Sequence, residues 1–282
     1  MVKKLETLAE GFNFLEGPRW HQQSLWVSDM WSHTVYKVSE EGVTEKVASI
    51  PQRPSGLNFL PDGRLVVVSM ADRKLLSVSP DGQFVEYADL SRFSESDIND
   101  SAVDGEGNIF VGNFGYDMLG GEDPKDGSIF RVDVSGEVTI AADSMQFPNG
   151  TVVTPDGRTL ICSETFGSKL TAFDLQNGVL TNRRVWADLD ENLPDGICLD
   201  QEGCIWVSSF MAGKFLRVRE GGEIIDSIAS PGRKAIACNL GGESGRTLFA
   251  LTFEGEIEDV ASSAGCARIE VCEVGVPGAG SP

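Results

Sequence analysis

The chain has 282 residues, of which 43 are Asp or Glu and 23 are Lys or Arg, for a net charge of −20. So acidic a surface repels phosphate backbones and anionic headgroups, which argues against nucleic-acid and membrane-surface partners. Hydrophobic residues at 41% can fill a sizeable core, and no apolar run approaches the roughly 20 residues that span a bilayer.

The N-terminal stretch MVKKLETLAEGFNF has two lysines but no continuous apolar segment of the kind a secretory leader needs, so the expected location is the cytoplasm. Beyond it the chain repeats itself. EGPRWHQQSLWVSDMWSHTVYKV begins at residue 16, and PSGLNFLPDGRLVVVSMADRKLLSVSPDG begins at 54. NDSAVDGEGNIFVGNFG begins at 99, PNGTVVTPDGRTLICSETFGSKLTAFD at 148 and PDGICLDQEGCIWVSSFMAGKFLRV at 194; a divergent sixth copy, KAIACNLGGESGRTLFALTF, begins at 234. Each copy holds short runs rich in β-branched and aromatic residues, bounded by Gly, Pro and Asp, which read as strands joined by tight turns. At about 47 residues apiece, the copies have the size of a four-stranded propeller blade.

The predicted fold is therefore all-β: a six-bladed β-propeller spanning 1–282 as a single domain, with a central metal site. The ring needs a latch, and residues 3–8 are expected to add an outer strand to the blade that ends in ARIEVCEV (267–274). The Gly/Pro segment from Gly275 to Pro282 is expected to be a loose tail. Cys162, Cys198, Cys204 and Cys238 sit in apolar runs, and no C-x-x-C pair occurs, so buried free thiols are expected.

Aligning the copies on Gly63, Gly107, Gly157 and Gly203, which close the first turn, and counting back eight positions gives Ser55, Asn99, Asn149 and Asp195. Glu16 precedes Gly17 much as Asn149 precedes Gly150. First strands line the channel of a propeller, so these oxygen-bearing side chains would converge on its axis. Glu16, Asn99, Asn149 and Asp195 offer two carboxylates and two amides, a hard donor set that suits Ca²⁺ and suits Mg²⁺ less well. The alternative is that Asn-Gly and Asp-Gly are ordinary turn dipeptides; spacing alone leaves both open.

The motifs Leu15-Glu16-Gly17-Pro18-Arg19-Trp20 with LWVSD, Asn99-Asp100, FPNG with TPDGRTL, and LPDGICLD with CIWV, in this order, resemble the senescence-marker-protein/gluconolactonase (regucalcin-like) family of six-bladed propellers. The resemblance runs through nearly the whole chain, to Arg268-Ile269-Glu270-Val271. It implies one divalent cation, usually calcium, with Mg²⁺, Zn²⁺ or Mn²⁺ as substitutes. It places the metal ligands on Glu16, Asn149 and Asp195, and leaves Asn99 as a ligand or substrate contact. It implies hydrolysis of sugar lactones, other lactones or aryl esters, and in some relatives of organophosphates, with Asp195 as the candidate base and a hydroxide on the cation as its rival. Sugar-lactonase relatives often carry an arginine two residues before the Asn-Asp pair; here that position is Asp97, which weakens the case for gluconolactone itself.

Hairpin geometry puts the ends of second strands at the same end of the ring as these donors. Asp29, Met70, Asn113, Glu164 and Ser209 are expected to ring the site or stand behind it. The insertion GYDMLGGEDPKDG (115–127) reads as a lid or wall. Asn99, Asp97, Asn113, Tyr116, Met118 and Glu164 are the expected substrate contacts. His21 reads as a solvated turn residue, His33 and Trp31 as candidates for the neighbourhood of the pocket, and Trp26 and Trp206 as packing between blades. The competing function is a non-enzymatic calcium-binding or scaffold propeller; no partner beyond a small lactone or ester is expected, and the oligomeric state is left open.

Overall fold

Short apolar runs interrupted every few residues by turn chemistry can form only hairpins, and hairpins bury their faces only by stacking. The computed structural model describes residues 3–262 and 264–280 and shows that solution as six four-stranded antiparallel sheets. After β1 (Glu6–Phe12), the first sheet comprises β2 (Leu15–His21), β3 (Ser24–Asp29), β4 (Thr34–Val38) and β5 (Thr44–Ser49). The second comprises β6 (Pro54–Phe59), β7 (Leu65–Ser69), β8 (Lys74–Val78) and β9 (Phe84–Asp89). The third comprises β10 (Ile98–Val103), β11 (Ile109–Asn113), β12 (Gly127–Val132) and β13 (Val138–Met145). The fourth comprises β14 (Pro148–Val153), β15 (Thr159–Glu164), β16 (Lys169–Gln176) and β17 (Val179–Asp188). The fifth comprises β18 (Pro194–Leu199), β19 (Ile205–Ser209), β20 (Lys214–Val218) and β21 (Ile224–Ala229). The last holds β22 (Lys234–Gly241), β23 (Thr247–Phe253) and β24 (Ala267–Glu273), with a 3₁₀ turn at Ile257–Ser262 between the latter two.

The inner strands β2, β6, β10, β14, β18 and β22 each touch the next, and β22 returns to β2, which closes the ring. The aligned turns close as expected, with the amides of Gly63, Gly107, Gly157 and Gly203 donating to Leu60, Asp104, Thr154 and Asp200 at 2.8–3.0 Å. Side chains interdigitate between sheets: Val35 and Ile50 pack with Leu57 and Val67, and Trp206 and Phe215 with Cys238 and Leu248. Trp26 meets Phe59 edge-on at 5.2 Å, so both strand tryptophans pack between blades. Cys162, Cys198, Cys204 and Cys238 are buried free thiols.

The latch exists, shifted toward the C-terminus. β1 completes the sixth sheet by pairing with β24, from Glu6 opposite Val271 to Phe12 opposite Ala267. The shift follows from Phe12, which is buried and packs edge-on against Tyr36 at 5.4 Å. The expected loose tail is tied down through residue 279. Gln201 N donates to Pro277 O at 2.9 Å, Gly278 N to Gly245 O at 2.8 Å and Ala279 N to Leu199 O at 3.0 Å, backbone pairings that composition does not reveal. Ser281 and Pro282 lie outside the described residues. Among the described residues, no helix is long and apolar enough to cross a membrane.

Candidate active site

Every inner strand breaks register with its partner near its first residues: after Glu16, Pro54, Ile98, Pro148, Pro194 and Ala235. Such bulges bend a strand and re-aim a side chain. At these breaks five strands carry Glu16, Ser55, Asn99, Asn149 and Asp195, all buried, while β22 carries Ala235. The turn-dipeptide alternative fails here, because Gly150 and Gly196 lie inside strands β14 and β18. They are glycines because the strands crowd at the axis. A Cβ on Gly150 would sit 2.6 Å from Ile197 N and 2.7 Å from Asp195 O, and one on Gly196 would sit 2.4 Å from Ala237 Cβ.

The side chains form an arc linked across four blades. Ser55 Oγ donates to Asn99 Oδ1 at 3.3 Å, Asn99 Nδ2 to Asn149 Oδ1 at 3.0 Å, and Asn149 Nδ2 to Asp195 Oδ1 at 2.6 Å. Asn149 Nδ2 also reaches Thr165 Oγ1 at 3.2 Å, and that hydroxyl donates to Pro194 O at 2.8 Å. Glu16, Asn99, Asn149 and Asp195 line one cavity of about 250 Å³. Deeper in the channel, Arg19 of β2 bonds Asp100 of β10 at 2.9 Å and Ser101 O at 2.5 Å, a buried strut between the first and third blades.

Burial, then Asp195 and Asp100, push the Glu16 carboxyl well above the usual carboxylate range, against the lowering effects of the Gly17 backbone and Arg19. Burial and Asp100 push Asp195 upward in the same way, opposed by the Asn149 hydrogen bond. Among the described residues neither carboxylate forms an ion pair with a Lys, Arg or His side chain. Two desolvated carboxylates without a cationic partner, set beside amides, have the chemistry of a hard-cation site. No group of three or more His, Cys, Asp or Glu is arranged for a metal among the described residues, so the amides would have to complete the set.

A second tier of residues builds the cavity wall. Met30 N bonds Phe14 O at 2.9 Å, Met70 N bonds Arg53 O at 2.9 Å, and Phe114 N bonds Asp97 O at 3.0 Å. Thr165 N bonds Phe147 O at 3.1 Å, and Phe210 N bonds Leu193 O at 3.0 Å. Each bond joins the residue before an inner strand to the residue after that strand's partner. Nine of these ten side chains line the cavity; Asp97 does not.

The expected substrate contacts therefore divide. Asn99 and Met118 lie on the cavity wall, with Leu119 from the same insertion and with Trp31. Asp97 instead binds Arg53 Nη2 at 2.6 Å, and Arg53 lines the cavity in its place, 5.2 Å over the Trp31 ring. Asn113 is turned to structural work: it donates to Ser94 Oγ at 2.8 Å and accepts from Ser128 N at 2.7 Å. Glu164 is fully buried and accepts from Thr171 Oγ1 at 2.5 Å, Gln146 N at 2.7 Å and Arg183 Nη2 at 3.2 Å. Tyr116 is buried against Phe147, with ring centroids 6.2 Å apart, outside the lining.

Of the strand-end ring, only Met70 lines the cavity. Asp29 holds the amides of Asn13 and Phe14, and Ser209 bonds Asn192. Adjacent residues on a strand face opposite ways, so the lining falls one position later, on Met30, Phe114, Thr165 and Phe210. Short strands with ends blurred by turns do not fix that parity in the sequence, and Arg53, Phe166, Met211 and Val260 carried no signal either. His33 is not among the lining residues, and His21 is the last residue of β2 rather than a solvated turn, stacked on Phe59 at 3.7 Å.

Comparison with known proteins gives the family and the fold. The sequence model of the SMP-30/gluconolactonase/LRE-like region matches residues 14–254. Regucalcin of Danio rerio is 26% identical over 225 residues, which are 78% of this chain and 72% of that one. The 6-deoxy-6-sulfogluconolactonase of Pseudomonas putida is 26% identical over 247 residues, 83% of this chain and 81% of the relative. A gluconolactonase structure from Xanthomonas campestris superposes with a TM-score of 0.78 at 26% identity, covering 96% of this chain and 90% of the other.

Proposed function

The chain belongs to the SMP-30/gluconolactonase/LRE-like family, and we propose that it is a lactonase-type hydrolase that opens a small lactone at the channel site with the help of one divalent cation, calcium first. The observation that carries the reading is the pair of buried carboxylates without an ionic partner, Glu16 and Asp195, beside Asn149 and Asn99 at the cavity wall. Glu16, Asn149 and Asp195 would hold the cation, with Asn99 either joining them or meeting the substrate. When bound, a calcium ion supplies Lewis acidity toward a carbonyl oxygen.

The chain supplies the rest. Asn149 Nδ2 holds Asp195 by Oδ1, which leaves Oδ2 as the atom able to take a proton from an attacking water. Asn99 fixes the Asn149 amide in turn, so the donors are oriented before substrate arrives. The apolar wall lowers the polarity around the reacting centre. The test is hydrolysis of a lactone panel with calcium and with chelator. Calcium-dependent turnover lost in Asp195→Asn is the expected result. Turnover indifferent to chelator would remove the cation from the reading, and tight calcium binding without turnover on any lactone or aryl ester would make the chain a binding protein.

A further inference from the structure

The cavity wall is too poor in hydrogen-bonding groups for a sugar. Thirteen of the nineteen lining residues are apolar, and six are polar. Four of the six are Glu16, Asn149 and Asp195, the proposed cation ligands, and Asn99, whose amide is bonded to Ser55 and Asn149. A fifth, Thr165, spends its hydroxyl on Pro194 O and Asn149. That leaves Arg53, the one cationic side chain on the wall among the described residues, already bonded to Asp97 and lying over Trp31, and the Trp31 indole N–H, a single donor without a partner. An aldonolactone brings several hydroxyls, and each one buried without a partner costs about 1–3 kcal/mol.

Aromatic surface is abundant instead. Phe114 and Phe147 stack at 4.5 Å with a 20° interplanar angle, and Phe166 meets Phe147 edge-on at 4.9 Å. The apolar character continues outward, since Phe166 is 50% exposed, Leu119 50% and Met211 62%, all three on the cavity wall. Exposed apolar side chains gathered at one cavity mark a surface meant to be covered. Phe147 is held there at a φ of 64°, a left-handed backbone that few non-glycine residues adopt and that tends to mark functional positions.

We propose that the substrate is an apolar lactone, with an aromatic or alkyl body lying against the Phe114–Phe147–Phe166 wall, and not a polyol lactone. This rests on the lactone-hydrolase reading above and names its substrate class. The cavity of about 250 Å³ limits that body to one or two rings.

The test separates binding from turnover by pairing hydrolysis-resistant lactams with their lactones. Calorimetry on the calcium-loaded protein compares dihydroquinolinone with gluconolactam; steady-state kinetics compares dihydrocoumarin with gluconolactone. The expected result is at least about tenfold tighter binding of dihydroquinolinone, with a kcat/KM ratio in the same direction. Phe166→Ser, at an exposed position that leaves the core intact, should weaken dihydroquinolinone about fivefold and leave gluconolactam unchanged. Equal or tighter binding of gluconolactam, or binding of neither lactam, overturns the proposal. A binding preference for dihydroquinolinone with neither lactone hydrolysed sinks the hydrolase reading and leaves the apolar ligand class standing. Chelator-sensitive turnover that favours gluconolactone does the reverse.

Discussion

Arg19→Met tests the strut beneath the site. Arg19 and Asp100 both have side chains 5% exposed, so neither has water to fall back on. Arg19 Nη2 serves Asp100 Oδ1 at 2.9 Å and Ser101 O at 2.5 Å, and Nη1 serves Pro18 O at 2.8 Å. Methionine fills much of the same volume but donates to none of them. Asp100 keeps its bond from Ser101 N, and the two carbonyls lose their donor. Breaking a buried ion pair from one side costs about 3–5 kcal/mol. For a chain of this size that lowers Tm by about 6–20 °C, at about 2–4 °C per kcal/mol. Urea unfolding followed by tryptophan fluorescence, in chelator, measures the loss directly. Replacing both partners with apolar residues, Arg19→Met with Asp100→Leu, should restore stability to within about 1–2 kcal/mol of wild type, because no orphaned charge remains. A loss below about 1 kcal/mol in the single variant, or an equal loss in the double variant, would refute the reasoning.

Three further outcomes follow from particular contacts. Burial against Phe59 lowers the His21 pKa below its ordinary 6.5, so the unfolded chain binds the proton more readily. Stability should be fully present above that value and fall as pH drops through the lowered folded value, and a His21→Phe variant titrated in urea should lose that component of the pH dependence. Burial pushes the Cys162 thiol up to about 12, so iodoacetamide should leave it unmodified in the native protein and alkylate it only after unfolding, as peptide mass spectrometry would show. Gly150→Ala drives a methyl group to 2.6 Å from Ile197 N and 2.7 Å from Asp195 O; it should cost about 1–3 kcal/mol and weaken calcium binding about tenfold or more by separating β14 from β18, read by unfolding and calorimetry.

What was legible in the sequence was local. Turn glycines and short β-branched runs specify hairpins over a few residues, so the six copies and the closing strand could be read by counting. The oxygen donors were also legible, because repetition places equivalent residues on equivalent strands. What local signals do not carry is the pleat parity at strand ends, which moved the lining from Asp29, Asn113, Glu164 and Ser209 to the residues that follow them. Nor do they carry contacts between blades. Asp97 looked like a substrate contact, but it meets Arg53 from the preceding blade, 44 positions away in sequence. The glycines after Asn149 and Asp195 left a turn reading open because their real constraint, the backbone of the neighbouring inner strand, is invisible until the ring closes.

Calcium titration of the chelator-stripped protein by calorimetry, beside Glu16→Gln, Asp195→Asn and the double variant, tests the channel site most directly. The expected result is one calcium ion per wild-type chain and at least about tenfold weaker binding in each single variant, since each removes one of two buried charges facing the cation. Wild-type affinity in the double variant, or a stoichiometry unchanged by it, would contradict the account and put the cation elsewhere.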